Sequence, residues 1–164
     1  LTIYSLCIII HSHKWGVILK KLLILFCTVI MLSGCDNKKN NVESFTNIMT
    51  KNKYKVYDVI KQYDKELVKS ARIATKDNYQ VEFLIFKSVD SAKNSFSVNR
   101  SYFKELKKKD DVETSLSNDK YSKYTLTTKD TFYLVSRIDA TLIYITVDGS
   151  YKKDVLKVIK SLGY

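Results

Sequence analysis

Apolar and polar residues recur with two different periods along this chain from about residue 41 onward. Val42, Phe45, Ile48 and Met49 fall at three- and four-residue spacing, and Asn41 stands where an N-cap belongs, so a helix is predicted from Val42 to Lys51. A strand around Tyr54 to Val59 follows, then a polar turn from Gln62 to Glu66. Val68 to Thr75 and Tyr79 to Lys87 read as a hairpin bent at Lys76-Asp77-Asn78. In its second arm Val81, Phe83 and Ile85 alternate with Glu82, Leu84 and Phe86. The second face turns apolar towards the end, which marks a central strand covered on both sides there. Ser88 reads as the cap of a helix to about Lys107, with Val89, Ala92, Phe96, Phe103 and Leu106 as its buried stripe. Lys107-Lys108-Lys109-Asp110-Asp111 closes that helix, and Val112 to Asp119 fits either a loop or a weak strand. Tyr121 to Thr127, Thr131 to Ile138 and Thr141 to Val147 are three successive strands, rich in β-branched and aromatic residues. Asp148-Gly149-Ser150 leads into a final helix whose inner face is Tyr151, Val155, Val158, Ile159 and Leu162, with Gly163 as its stop.

Hairpins dominate this order, which excludes a doubly wound parallel sheet. The expected fold class is α+β: a two-layer sandwich with a largely antiparallel sheet of five to six strands and helices mainly on one face. The second and third helices are expected on that face, and the first at its edge or on the same side. In shape this resembles small sandwiches such as ferredoxin-like, cystatin-like or PsbP-like domains, an analogy of fold that carries no function. Thr75-Lys76-Asp77-Asn78-Tyr79 and Thr128-Lys129-Asp130-Thr131-Phe132 echo one another at two bends. Shared turn chemistry explains the echo more simply than an internal duplication.

Composition narrows the chemistry. The formal net charge is +11. Three of the positive charges, Lys14, Lys20 and Lys21, precede Gly34 with no acid among them, which leaves +8 for the remainder. His11, His13, Trp15, Cys7 and Cys27 also precede Gly34, and the chain has no Pro. All but one of the twelve Tyr and all but one of the seven Phe come after it, an aromatic content that argues against disorder. Residues 42–164 suffice for a single domain with a real core. With Cys35 the one Cys of that remainder, an internal disulfide there is excluded. Usage rich in Lys and Asn fits an AT-rich genome of the low-GC Gram-positive type.

The run Lys20-Lys21-Leu22-Leu23-Ile24-Leu25-Phe26-Cys27-Thr28-Val29-Ile30-Met31-Leu32-Ser33-Gly34-Cys35 sets two charges before a short apolar segment. About a dozen apolar residues are too few to span a hydrocarbon core of roughly 30 Å as a helix. They have the proportions of a secretory signal with small residues at its exit. An ordinary signal peptide or an apolar strand accounts for the segment without its Cys. With the Cys, it resembles the signal of bacterial lipoproteins, Leu32-Ser33-Gly34-Cys35 being the lipobox. The resemblance implies cleavage between Gly34 and Cys35 and a diacylglyceryl thioether on Cys35. Two acyl chains anchor stably where one binds marginally. Residues 1–34 are then a signal peptide. Within it, 1–16 read as an over-extended gene start, the real one lying near Val17 or Leu19. Residues 35–41 are the lipidated Cys and a short polar tether. The implied location is the outer face of the cell membrane.

Catalytic chemistry is hard to build from the residues after Gly34. With no His among them there is no ordinary general base near neutrality, no Ser-His-Asp or Cys-His arrangement and no Cys/His zinc site. Gly149 and Gly163 do not make a phosphate loop. Asp110 and Asp111 lack the alternating ligand spacing of a calcium loop and read as a solvated turn. No cofactor, metal or nucleic-acid partner is expected. The expected role is a non-enzymatic binding or interaction module on the membrane, its ligand a protein, an anionic wall polymer or a small molecule. An accessory subunit docking on a membrane complex is the alternative, and a carboxylate hydrolase the third. Tyr121, Tyr124, Tyr133 and Tyr144 on adjacent strands are the candidate ligand face, since Tyr pairs an apolar ring with a polar tip. Cross-strand packing is the plainer reading of the same residues. Lys104, Lys107, Lys108 and Lys109 are the candidate contact with an anionic surface, the plainer reading being the solvent face of a helix.

Overall fold

The computed structural model describes residues 40–164. The expectations for the signal segment, the lipobox and Cys35 lie outside them. The described chain runs α1 (Val42–Lys51), β1 (Lys55–Asp58), a 3₁₀ turn (Ile60–Gln62), β2 (Val68–Lys76), β3 (Tyr79–Phe86), α2 (Val89–Glu105), β4 (Val112–Ser117), β5 (Tyr121–Thr127), β6 (Thr131–Ile138), β7 (Thr141–Asp148), a second 3₁₀ turn (Gly149–Tyr151) and α3 (Lys152–Ser161). The strands form one sheet in the order β1-β2-β3-β7-β6-β5-β4. Every neighbouring pair is antiparallel. Among the described residues no helix is long and apolar enough to cross a membrane.

The mixed helix-and-strand class and the antiparallel sheet are as expected. Two finer expectations are corrected. The sheet has seven strands rather than five or six, because β4 is a full strand paired with β5 from Val112↔Thr127 to Ser117↔Ser122. The domain is also not a two-layer sandwich, since helices cover both faces. Phe45 and Met49 of α1 join Val155, Val158 and Ile159 of α3 over Val81, Phe83, Leu134, Ile143 and Ile145. Ala92, Phe96 and Phe103 of α2 pack on the opposite face, against Leu84, Tyr124, Leu126, Val135 and Leu142. The second and third helices are therefore on opposite sides, and the first shares a side with the third.

The reason lies in the central strands. β3 buries Val81 and Phe83 on one side and Leu84 and Phe86 on the other. β7 does the same with Ile143 and Ile145 against Leu142. A strand apolar on both sides needs a cover on each. The chain supplies α2 after β3 and α3 after β7. Phe45 of α1 stacks on Phe83 at 4.7 Å between ring centroids, which ties the first helix to the central strand.

Local signals close the elements. The Asn41 side chain accepts from Ser44 N–H at 2.8 Å and Ser88 Oγ from Ser91 N–H at 3.0 Å, each satisfying an otherwise orphaned helix donor. Val89, expected in the buried stripe of α2, instead lies exposed in its first turn. Gly163, at φ +90°, takes the left-handed conformation that stops α3.

Candidate functional site

Period-2 geometry in β6 puts Tyr133, Val135 and Arg137 on the face that α2 covers. Arg137 pairs across to Ser122 in β5 and Leu142 in β7. The helical period of α2 puts Lys93, Phe96, Ser97 and Arg100 on one stripe above the same region. Between that stripe and the β4–β5 turn lies a cavity of about 410 Å³, walled further by Ser117, Asn118, Asp119 and Ser122.

Arg137 is 1% exposed, and it is the single charged residue in the buried set of the described residues. One Nη donates to Asp139 O at 3.0 Å. The other reaches Asn118 O at 3.3 Å, Asp119 O at 3.1 Å and Ser122 Oγ at 3.3 Å. The guanidinium thus clasps the β4–β5 and β6–β7 turns together. Its Nε–H has no acceptor, and neither has the buried Nε–H of Arg100. Arg100 sits with its guanidinium carbon 6.0 Å from the centroid of the Tyr124 ring. The ion pairs of the described residues are Arg72–Asp58, Lys87–Glu66 and Lys107–Glu113, so no carboxylate neutralises either Arg of the cavity. A buried charge costs several kcal/mol, roughly, unless it is paired. Neutral carbonyls offset only part of that.

A second cavity, of about 240 Å³, lies against a different part of α2, lined by Tyr63, Glu82, Asn99 and Tyr144 among others. The side chains of Tyr63, Glu82, Asn99 and Tyr144 already have hydrogen-bond partners. Tyr63 donates to Glu82 Oε2 at 3.0 Å, and burial and that carboxylate hold the phenol far above its usual range.

The four tyrosines expected on one ligand face do not share one. Tyr124, Tyr133 and Tyr144 converge on Phe103 of α2, with ring centroids 6.5, 5.1 and 5.3 Å from it. Tyr121 is on the opposite face by its register. Tyr124 has no exposed surface. Burial, then its hydrogen bond to Glu113 Oε2 at 2.7 Å, keeps its phenol protonated. The sheet face that Tyr124, Tyr133 and Tyr144 share is the one α2 covers.

Lys104, Lys107, Lys108 and Lys109 are all exposed. Lys107 is engaged, donating to Glu113 Oε1 at 2.8 Å, which leaves Lys104, Lys108 and Lys109 facing solvent. Asp111 accepts from Lys108 N–H at 2.8 Å, the bonding of a turn. Among the described residues no three His, Cys, Asp or Glu side chains are grouped to hold a metal ion.

Sequence reasoning missed Arg137, Arg100 and Lys93. A signal was present. The chain holds three Arg, at 72, 100 and 137, in a background of Lys. Two of the three meet at one cavity. Arg offers a planar fork of donors and is more weakly hydrated than Lys, so it is the cation suited to burial.

No protein-family model matches this chain and no curated protein matches it. Among solved structures it is similar to a GTP binding regulator of Thermotoga maritima, at 12% identity and a TM-score of 0.43, over 76% of this chain and 86% of the other. At that level no function or site passes from one chain to the other.

Proposed function

We propose that this chain is a membrane-anchored extracytoplasmic lipoprotein that acts as a non-enzymatic binding module, its ligand entering the cavity between α2 and the β4–β5 turn. The observation that carries the binding half is Arg137, a buried cation on the cavity wall with no acidic partner. A guanidinium is a cation with a planar fork of donors, which suits a site that holds an anionic ligand. The address rests on Lys20 to Cys35, with Cys35 as the diacylglyceryl acceptor and Gly34 as the residue before the cut. Exposed Lys104, Lys108 and Lys109 would lie near an anionic membrane or wall polymer, whose field attracts them.

Metabolic labelling with a radiolabelled fatty acid tests the anchor. Label is expected in the wild-type chain and lost in Cys35→Ser. Equal labelling of the two removes Cys35 as the acceptor and the membrane address with it.

The second reading, an accessory subunit docking on a membrane complex, is favoured by one feature. β4 is an edge strand whose outer side pairs with no other strand of the sheet. It exposes Val112 at 63% and Leu116 at 61%. Such an edge is a template for an added strand.

A further inference from the structure

We propose that the cavity beneath α2 binds a small organic oxyanion, a carboxylate or phosphate carried on a hydroxyl-bearing body, with Arg137 and Arg100 supplying its counter-charge. The proposal rests on the reading of this domain as a binding module and names the ligand class for it.

Three observations converge on it. First, the cavity's basic side chains, Lys93, Arg100 and Arg137, outnumber its one acid, Asp119, and no ion pair neutralises either arginine. Second, the two buried N–H groups without an acceptor in the described residues both belong to arginines of this cavity. Holding the two turns together accounts for the Nη atoms of Arg137, and the cation–π contact with Tyr124 accounts for the face of the Arg100 guanidinium. Neither accounts for two orphaned Nε–H groups at one site. An unmet buried donor is costly, and a charged one more so. An oxyanion supplies the missing negative charge, and an acceptor for the Nε–H of Arg100 once that side chain turns onto it. Third, about 410 Å³ is far more than a bare anion fills and lies in the range of small-molecule sites. The Ser97 hydroxyl on the cavity wall suits a ligand body that carries hydroxyls of its own, while Ser117 and Ser122 bond each other at 2.9 Å. Arg100 is partly exposed, and its side chain is the one able to turn onto the incoming group. Arg137, clasped by the turns, stays fixed.

The test is calorimetric titration of the purified full chain, held in detergent micelles, with acetate, inorganic phosphate, D-glucuronate and glycerol 3-phosphate, and with glucose as the neutral companion. Saturable binding is expected for glucuronate or for glycerol 3-phosphate at millimolar concentration or below, tighter than for the matching bare anion, and none for glucose. The arm that binds assigns carboxylate or phosphate. Arg100→Met keeps an apolar stem over Tyr124 and is expected to weaken binding by about tenfold or more. Ser97→Trp fills the cavity from the exposed side of α2 while both arginines are retained, and is expected to abolish binding. Lys61→Met, in the exposed first 3₁₀ turn and outside the cavity, leaves it unchanged. Absence of binding by all four anions, binding of glucose as tight as of the anions, or undiminished binding in both Arg100→Met and Ser97→Trp overturns the proposal. Fatty-acid labelling at Cys35 without anion binding removes this inference and leaves the anchored module standing. Anion binding without labelling does the reverse.

Discussion

Replacing Phe103 by Ala separates the two meanings that the tyrosines of the sheet can have. Phe103 is fully buried beneath α2, and three tyrosine rings surround it, at 5.1, 5.3 and 6.5 Å between centroids. Truncating a buried Phe to Ala costs about 3–5 kcal/mol, part of it for the cavity left behind. Aromatic pairs at these separations add about 0.5–1.5 kcal/mol each beyond their area, though the longest of the three is near the limit. The expected loss is therefore in the upper part of that range, about 4–5 kcal/mol. A domain of this size has roughly 5–15 kcal/mol in total, so the variant should fold but with little margin. Urea titration reads the loss directly. With a slope of about 2 kcal/mol/M the midpoint falls by about 2 M. The described residues hold no Trp, so near-ultraviolet circular dichroism follows the tyrosine cluster itself. Phe103→Leu, which keeps most of the volume, should lose less than about 1.5 kcal/mol. A loss below about 1 kcal/mol for Phe103→Ala would show that Tyr124, Tyr133 and Tyr144 are not held by this ring and stand available for a ligand.

Two further outcomes rest on single bonds. Glu113 is held below the usual carboxylate range by its hydrogen bond from Lys107, then by that from Tyr124. A depressed carboxyl stabilises the fold fully above its unfolded value of about 4.3 and loses that contribution as pH falls through the lower folded value. Stability measured by urea midpoint should therefore drop below about pH 4.3, and Lys107→Met should flatten the contribution of Glu113, read by carboxyl NMR titration as a rise towards the ordinary value. A Glu113 titration unmoved by Lys107→Met rules out the bond as the cause. Asn41→Ala removes the acceptor of Ser44 N–H and should cost about 1 kcal/mol, while Asn41→Asp or Asn41→Ser stays near wild type. An equal loss in all three variants would mean that the cap contributes nothing.

Most elements were legible because each carried a local cause. α1 begins and ends where its spacing and its Asn41 cap predict. The hairpin bends at Asp77 and Asp139 are held by positive φ angles of 53° and 47°, which short polar side chains tolerate best among residues other than Gly. β4 was ambiguous for an equally physical reason. All six of its residues are exposed, so burial imposed no apolar stripe on Val112 to Ser117. Its strand state comes from the β5 edge it pairs with, and that partner lies beyond any local window. The side on which a helix returns to a sheet is likewise a tertiary fact. Strand parity shows that β3 and β7 are apolar on two faces, but not which helix covers which. The same placement argues against internal duplication. β3 and β7 are antiparallel neighbours, so a two-fold axis exchanging them would stand normal to the sheet and keep α2 and α3 on one face. They are on opposite faces.

The candidate site was hidden by its background. In a chain this rich in Lys, one more cation near the end of a strand reads as solvent-facing, and Arg137 follows a run of apolar residues as though it were the strand's wet end. Its parity says otherwise. Counting back by two from Arg137 gives Val135 and Tyr133, both in or against the core under α2. A cation on that parity is either buried or forces the sheet to open. A Lys there, compact and strongly hydrated, would lose its proton or its place, whereas a guanidinium spreads its charge and reaches several carbonyls at once. The carbonyls that Arg137 reaches belong to two turns, and no carboxylate is among them. A fold needing only a clasp for those turns would be served as well by a neutral amide donor, without burying a full charge. What distinguishes Arg137 from such a clasp is the charge left over. That residual charge faces a cavity, next to a second arginine, which is why the site reads as a place for something negative to arrive.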